Sequence, residues 1–195
     1  AQPREWLAPF IVRHWPGQSV RFRDYRRDLS LGYASLTSHS VARGVARLGN
    51  VTIRTSANVS DIFPGEVRLA DGAAFSADCV IDARGFEPSP ALVLGYQKFL
   101  GLEVETETPH GLANPIIMDA AVEQSDGYRF VYVLPFSPTT LLIEDTRYSD
   151  SHELDTQALA SDISAYAQTQ GWSVAKVTRS EQGVLPIAIA HDAES

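Results

Sequence analysis

The chain has 195 residues, 44% of them hydrophobic and 21% charged, which supplies a buried core and excludes wholesale disorder. A formal charge of -8, from 24 acidic and 16 basic residues, argues against a nucleic-acid partner, because phosphate binding needs clustered Lys and Arg. The single cysteine, Cys79, excludes a disulfide framework or a cysteine zinc site within one chain. No stretch approaches the roughly 20 apolar residues of a membrane-spanning helix, and the first residues lack the layout of a secretion signal. Composition alone therefore leads to the expectation of a cytoplasmic chain.

In chain order, Ser19-Val20-Arg21-Phe22 reads as a strand and residues 37–48 as a helix stopped by Gly49-Asn50. Residues 51–62 alternate as a strand. Two short runs, 66–70 and 74–77, flank Asp71-Gly72, a hairpin signal. Residues 78–83 form an apolar run that ends at Arg84-Gly85, as a buried parallel strand does before a sharp turn, and Cys79 is expected as a buried thiol within it. After Pro88 and Pro90 the texture changes. Residues 97–106, 115–122, 128–134 and 140–146 read as strands, the last two joined as a hairpin. The period turns helical over 151–170, with Leu154, Leu159, Ile163 and Tyr166 or Ala167 on one side. Asp150 and Glu153 resemble a capping box, and Gly171 is a stop. A last strand is expected over 173–180, with Val184-Leu185-Pro186-Ile187 beyond it. The expected organisation is α/β for residues 1–88, then a mostly antiparallel sheet with a packed helix for 89–195.

Few motifs carry chemistry. The histidines at 14, 39, 110, 152 and 191 are scattered without ligand spacing, so no metal site is expected. No Gly-x-Ser-x-Gly elbow appears, and Gly44 to Asn50 has phosphate-loop glycine spacing without the required Lys-Ser/Thr. In dinucleotide-binding sheets a late strand ends in a small residue and Gly so that the backbone can approach the cofactor. Asp82-Ala83-Arg84-Gly85 fits that description, and equally any strand that meets a glycine turn. Glu144-Asp145 ends the apolar run Leu141-Leu142-Ile143. Alternation on a strand sends the two carboxylates to opposite faces, so one of them could be buried and held protonated by desolvation. A strand end with both acids solvated is the competing account.

Taken together, six segments resemble the lycopene beta-cyclase family. They are Val80-Ile81-Asp82-Ala83-Arg84-Gly85; Gly95-Tyr96-Gln97-Lys98-Phe99-Leu100-Gly101; Pro115-Ile116-Ile117-Met118-Asp119-Ala120; the run from Asp126-Gly127-Tyr128 to Leu134-Pro135; Leu142-Ile143-Glu144-Asp145-Thr146; and Glu181-Gln182-Gly183-Val184-Leu185-Pro186-Ile187. The resemblance implies a partial FAD-binding Rossmann-like unit followed by a substrate-binding sheet. It implies Glu144 as the catalytic acid with Asp145 beside it, and Asp82, Ala83, Arg84 and Gly85 near the cofactor. The implied activity is acid-initiated closure of rings on lycopene or another acyclic carotenoid, without net redox change. Reduced FAD would assist, with NAD(P)H as its reductant, on a protein peripheral to the inner membrane. The family's Gly-rich flavin segment would precede Ala1, so the chain is expected to be a central fragment, inactive and colourless by itself. The rival expectations are a related flavoprotein monooxygenase, an isoprenoid-chain reductase, or a non-catalytic module that binds an apolar ligand.

Overall fold

The computed structural model describes residues 3–85, 92–125 and 127–191. In chain order it begins with helix α1 (Pro3–Leu7), a 3-10 turn (Ala8–Phe10), and strands β1 (Ile11–Trp15), β2 (Gln18–Phe22), β3 (Tyr25–Leu29) and β4 (Tyr33–Leu36). Helix α2 (Ser38–Val45) and the short strands β5 (Val59–Phe63), β6 (Glu66–Leu69) and β7 (Ala74–Ser76) follow. The remainder is β8 (Leu92–Thr106), β9 (Ile116–Asp119), β10 (Tyr128–Ser137), β11 (Thr140–Ser149), α3 (Thr156–Thr169) and β12 (Val174–His191).

These elements fall into two compact units. The first comprises residues 1–10 and 37–88, the second residues 11–36 and 89–195. Residues 11–36, expected before the boundary, thus group with the second unit. The cause is backbone pairing: β2 lies parallel to β9, with Ser19 opposite Ile116 and Arg21 opposite Asp119, and β3 extends the same sheet.

In the first unit, Thr37 caps α2 by accepting from Ser40 N, while the Ser40 hydroxyl accepts from Thr37 N, so two otherwise orphaned amides are satisfied reciprocally. Strands β5, β6 and β7 form an antiparallel meander. The expected hairpin at Asp71-Gly72 is present, with Gly72 at φ +88, where a side chain would be strained. The strand expected over 78–83 is absent. Ile81 is 86% exposed and Cys79 is exposed rather than buried. A parallel strand needs a partner strand, and among the described residues none pairs with this run. Of the strand expected over 51–62, only the end persists, as β5.

The second unit is built on a seven-stranded sheet of order β12-β8-β11-β10-β9-β2-β3, antiparallel throughout except at β2 and β9. Strand β1 pairs separately with β4. The β10–β11 hairpin turns through Pro138 and Thr139, where the Ser137 hydroxyl donates to Thr140 Oγ1 at 2.8 Å. On one face of the sheet lies α3, its Leu159, Ile163, Tyr166 and Ala167 packed with Leu100, Val104, Val131, Val133, Leu141 and Ile143. Burying each large apolar side chain is worth roughly 1.5–3 kcal/mol, so this layer is the main source of the unit's stability. The cap of α3 is Asp155, accepting from Gln157 N and Ala158 N, and not the Asp150–Glu153 box that the sequence suggested. Gly171 ends the helix at φ +75, as expected. Strand β12 runs unbroken past Pro186, because it is an edge strand where a missing N–H costs no ladder bond.

Candidate active site

Strand alternation gives the sheet two chemically different faces. Residues Trp15, Leu134 and Leu142 are buried on the face away from α3, with Tyr33, Tyr132 and Phe136 packed around them. Trp15 is fixed by its indole N–H, which donates to the Pro135 carbonyl at 3.1 Å. Its ring lies 6.2 Å from that of Tyr33 and 6.0 Å from that of Phe136, and the rings of Tyr33 and Tyr132 meet edge to face at 6.4 Å. Further along, Phe130 stacks on Tyr148, and the ring of Tyr128 is tilted against both. The result is a wall of ring faces along the strands.

Glu144 stands in this wall. In the pairing register it lies between Tyr132 on β10 and Gly101 on β8, and Glu181 on β12 follows in the same row. Burial pushes its carboxyl above the ordinary range, the hydroxyl of Thr146 pulls it back by donating to Glu144 Oε1 at 2.8 Å, and the nearby Glu181 charge pushes it up further. The Tyr132 phenol is also held well above its usual range, by burial and by the Tyr33 hydroxyl at 2.6 Å, so it remains protonated. A half-buried, protonatable acid flanked by the Tyr132 phenol and aromatic faces can deliver a proton to an apolar ligand, and those faces can stabilise positive charge formed on it.

Asp145, the neighbouring candidate, faces the other way. Its side chain is 0% exposed and accepts from Arg129 Nε at 2.8 Å and from Arg147 Nε at 3.1 Å. Arg147 also pairs with Asp162 of α3. This is a buried ionic clamp between sheet and helix. Asp82, Ala83, Arg84 and Gly85 belong to the first unit and form an exposed segment. There Arg84 binds Asp82 through its backbone N–H at 3.1 Å and its guanidinium at 2.9 and 3.0 Å. Those hydrogen bonds lower the Asp82 carboxyl to about 2. Tyr33 lies outside the segments that carry the resemblance, and Tyr132, Gly101, Thr146 and Glu181 lie within them without being predicted as site residues. Only Gly101 carried a local signal, since a glycine inside a strand often marks a close approach.

The lycopene cyclase protein family model matches residues 2–195. Over 97% of this chain, a lycopene beta-cyclase of Paracoccus sp. (strain N81106 / MBIC 01143) is 49% identical, and one of Pseudescherichia vulneris is 46% identical. One from Pantoea ananas is 44% identical. The chain spans about half the length of these relatives, 49%, 49% and 50% respectively. Among solved structures, the peptidyl tryptophan dihydroxylase QhpG aligns with a TM-score of 0.49 at 18% identity, covering 91% of this chain and 43% of that one, too slight a likeness to build on. With the family model covering nearly every residue and close relatives matching almost the whole chain, this chain belongs to the lycopene cyclase family.

Proposed function

We propose that the whole protein closes β rings on the ends of lycopene, or of another acyclic carotenoid, with Glu144 as the proton donor. The observation that supports this most is the placement of Glu144, a desolvated carboxyl beside Tyr132 on the aromatic face of the sheet. Protonation of the terminal double bond gives a tertiary cation. The neighbouring double bond attacks it, the ring closes, and a proton leaves, so atoms and electrons balance without redox change. Desolvation favours the protonated form of the donor, and the faces of Tyr33, Tyr132 and Phe136 offer negative quadrupoles to the cation. The same apolar wall excludes water that would otherwise trap it.

A Rossmann-like flavin unit that includes the first unit, reduced FAD with NAD(P)H as its reductant, and peripheral contact with a membrane that carries the substrate all belong to this proposal for the whole protein. Residues 82–85 alone make no cradle for a flavin. Gly85, at φ +108, has open space where a Cβ would stand, and the Arg84 guanidinium is engaged by Asp82. The proton chemistry is accordingly assigned to this chain's own side chains. No described helix is long and apolar enough to cross a membrane.

The test is full-length protein assayed with lycopene, flavin and reductant, beside Glu144→Gln at equal soluble protein. Glutamine keeps the shape and loses the proton. Cyclisation should fall by a factor of roughly 100 or more, the range seen when a general acid is removed. Wild-type activity in the variant would overturn the assignment, and absence of cyclisation by the full-length wild type would overturn the function.

A further inference from the structure

A second carboxylate shares the row with Glu144. Gly101 on β8 is opposite Glu144 on one side and Glu181 on the other, so all three lie on one face of the sheet. A Cβ placed on Gly101 would sit 3.1 Å from Glu181 Cγ and 3.5 Å from Glu144 Oε2. The missing side chain therefore leaves a notch that both acids border. Their environments differ. Glu144 is half-buried among phenols, whereas the Glu181 side chain is 38% exposed and paired with Arg179 Nη1 at 2.6 Å. Arg179 in turn reaches Glu103 at 3.4 Å, which anchors the pair on the sheet. One acid thus sits where burial favours its protonated form, and the other is ion-paired with a guanidinium at the solvent side of the same notch.

We propose that Glu181 is the proton acceptor that ends the cyclisation and sets which ring isomer forms. This rests on the reading of the site as a cyclase with Glu144 as donor. After Glu144 protonates the terminal double bond and the ring bond forms, the positive charge rests on a ring carbon bearing a methyl group. A neighbouring C–H bond then breaks, its electron pair becomes the ring double bond, and its proton passes to the Glu181 carboxylate. One proton has entered and one has left. Loss from the ring carbon that carries the polyene gives a β ring, loss from the ring methylene an ε ring, and loss from the methyl group a γ ring. The position of the acceptor selects among the three. Because Glu181 reaches solvent, its proton can return to water and the acceptor is regenerated.

The experiment uses full-length protein with lycopene, comparing wild type, Glu181→Gln and Glu181→Asp at equal folded protein, with products separated by ring isomer. Glu181→Gln should lower β-ring formation roughly 100-fold, through kcat rather than KM. The remaining product should include ε or γ rings, or the tertiary alcohol formed when water captures the cation. Glu181→Asp, which keeps the charge and the Arg179 pair, should restore β rings as the main product. Two results would overturn the proposal: β rings alone at the wild-type rate from Glu181→Gln, or the same loss and mixture from Glu181→Asp. A wild type that forms no rings overturns the cyclase reading itself, and so is told apart from a wild type that cyclises beside an unaffected Glu181→Gln.

Discussion

Arg129 and Asp145 are joined by an ion pair of 2.6 Å on the α3 side of the sheet, one strand position from the acid that faces the other way. Both oxygens of Asp145 are committed, one to Arg129 and one to Arg147. Asp162 brings α3 into the same network. Behind Glu144, therefore, the backbone of β11 is held by charge as well as by packing, which fixes where the acid points.

That clamp has a measurable consequence. Asp145→Asn leaves two largely buried guanidinium groups without their shared carboxylate, and removing one partner of a buried pair costs roughly 3–5 kcal/mol. The unfolding midpoint in urea should fall accordingly, with any loss of cyclisation following the loss of folded protein. A change on the scale of an exposed pair, under about 1 kcal/mol, would show that the network is not structural.

Glu144 gives a pH dependence of definite sign. Its folded carboxyl is raised by burial above its unfolded value, so the folded state holds the proton over a range where the unfolded state has released it. Stability from this group is complete below the unfolded value and is lost as pH rises through the folded one. Cyclisation should decline over the same upper range, because only the protonated form donates. Unfolding free energy measured against pH for wild type and Glu144→Gln tests this. The glutamine variant should lose the part of the downward slope that begins at the ordinary carboxyl value and ends at the raised folded one, and an unchanged slope would remove Glu144 as its source.

Local signals were legible in the sequence wherever one element suffices to make them. The Asp71-Gly72 hairpin, the buried stripe of α3 and its Gly171 stop each follow from a few adjacent residues. The separation of Glu144 from Asp145 was equally local, since it needs only the period of a strand. Pairing between distant segments was not legible. The parallel ladder of β2 with β9 joins residues almost a hundred positions apart, so residues 11–36 were placed in the wrong unit. Run 78–83 has the composition of a buried strand, yet composition does not supply the neighbours that such a strand requires. The same reasoning explains why Glu181 and Tyr132 went unnoticed. Both lie in segments that carry the family resemblance, yet their place in the site arises only when four strands set them in one row with Glu144.

Gly101 is the residue in that row with no side chain, and its replacement separates folding from chemistry. Its φ is not in the left-handed region, so alanine imposes no backbone strain, and removing a strand glycine recovers some conformational entropy. The new Cβ would stand 3.1 Å from Glu181 Cγ, 3.3 Å from Leu142 Cδ1 and 3.5 Å from Glu144 Oε2, all of them side-chain atoms able to shift by a few tenths of an ångström. The stability of Gly101→Ala should therefore lie within about 1 kcal/mol of wild type. The shift falls on the two carboxylates and closes the notch between them, where a misplacement of about 1 Å can cost 10²-fold in rate. Gly101→Ala in the full-length protein should keep its urea midpoint while ring formation from lycopene drops at least about tenfold. Gly101→Val should lower it further. If alanine at this position leaves both midpoint and rate unchanged, the notch is not where the ring closes.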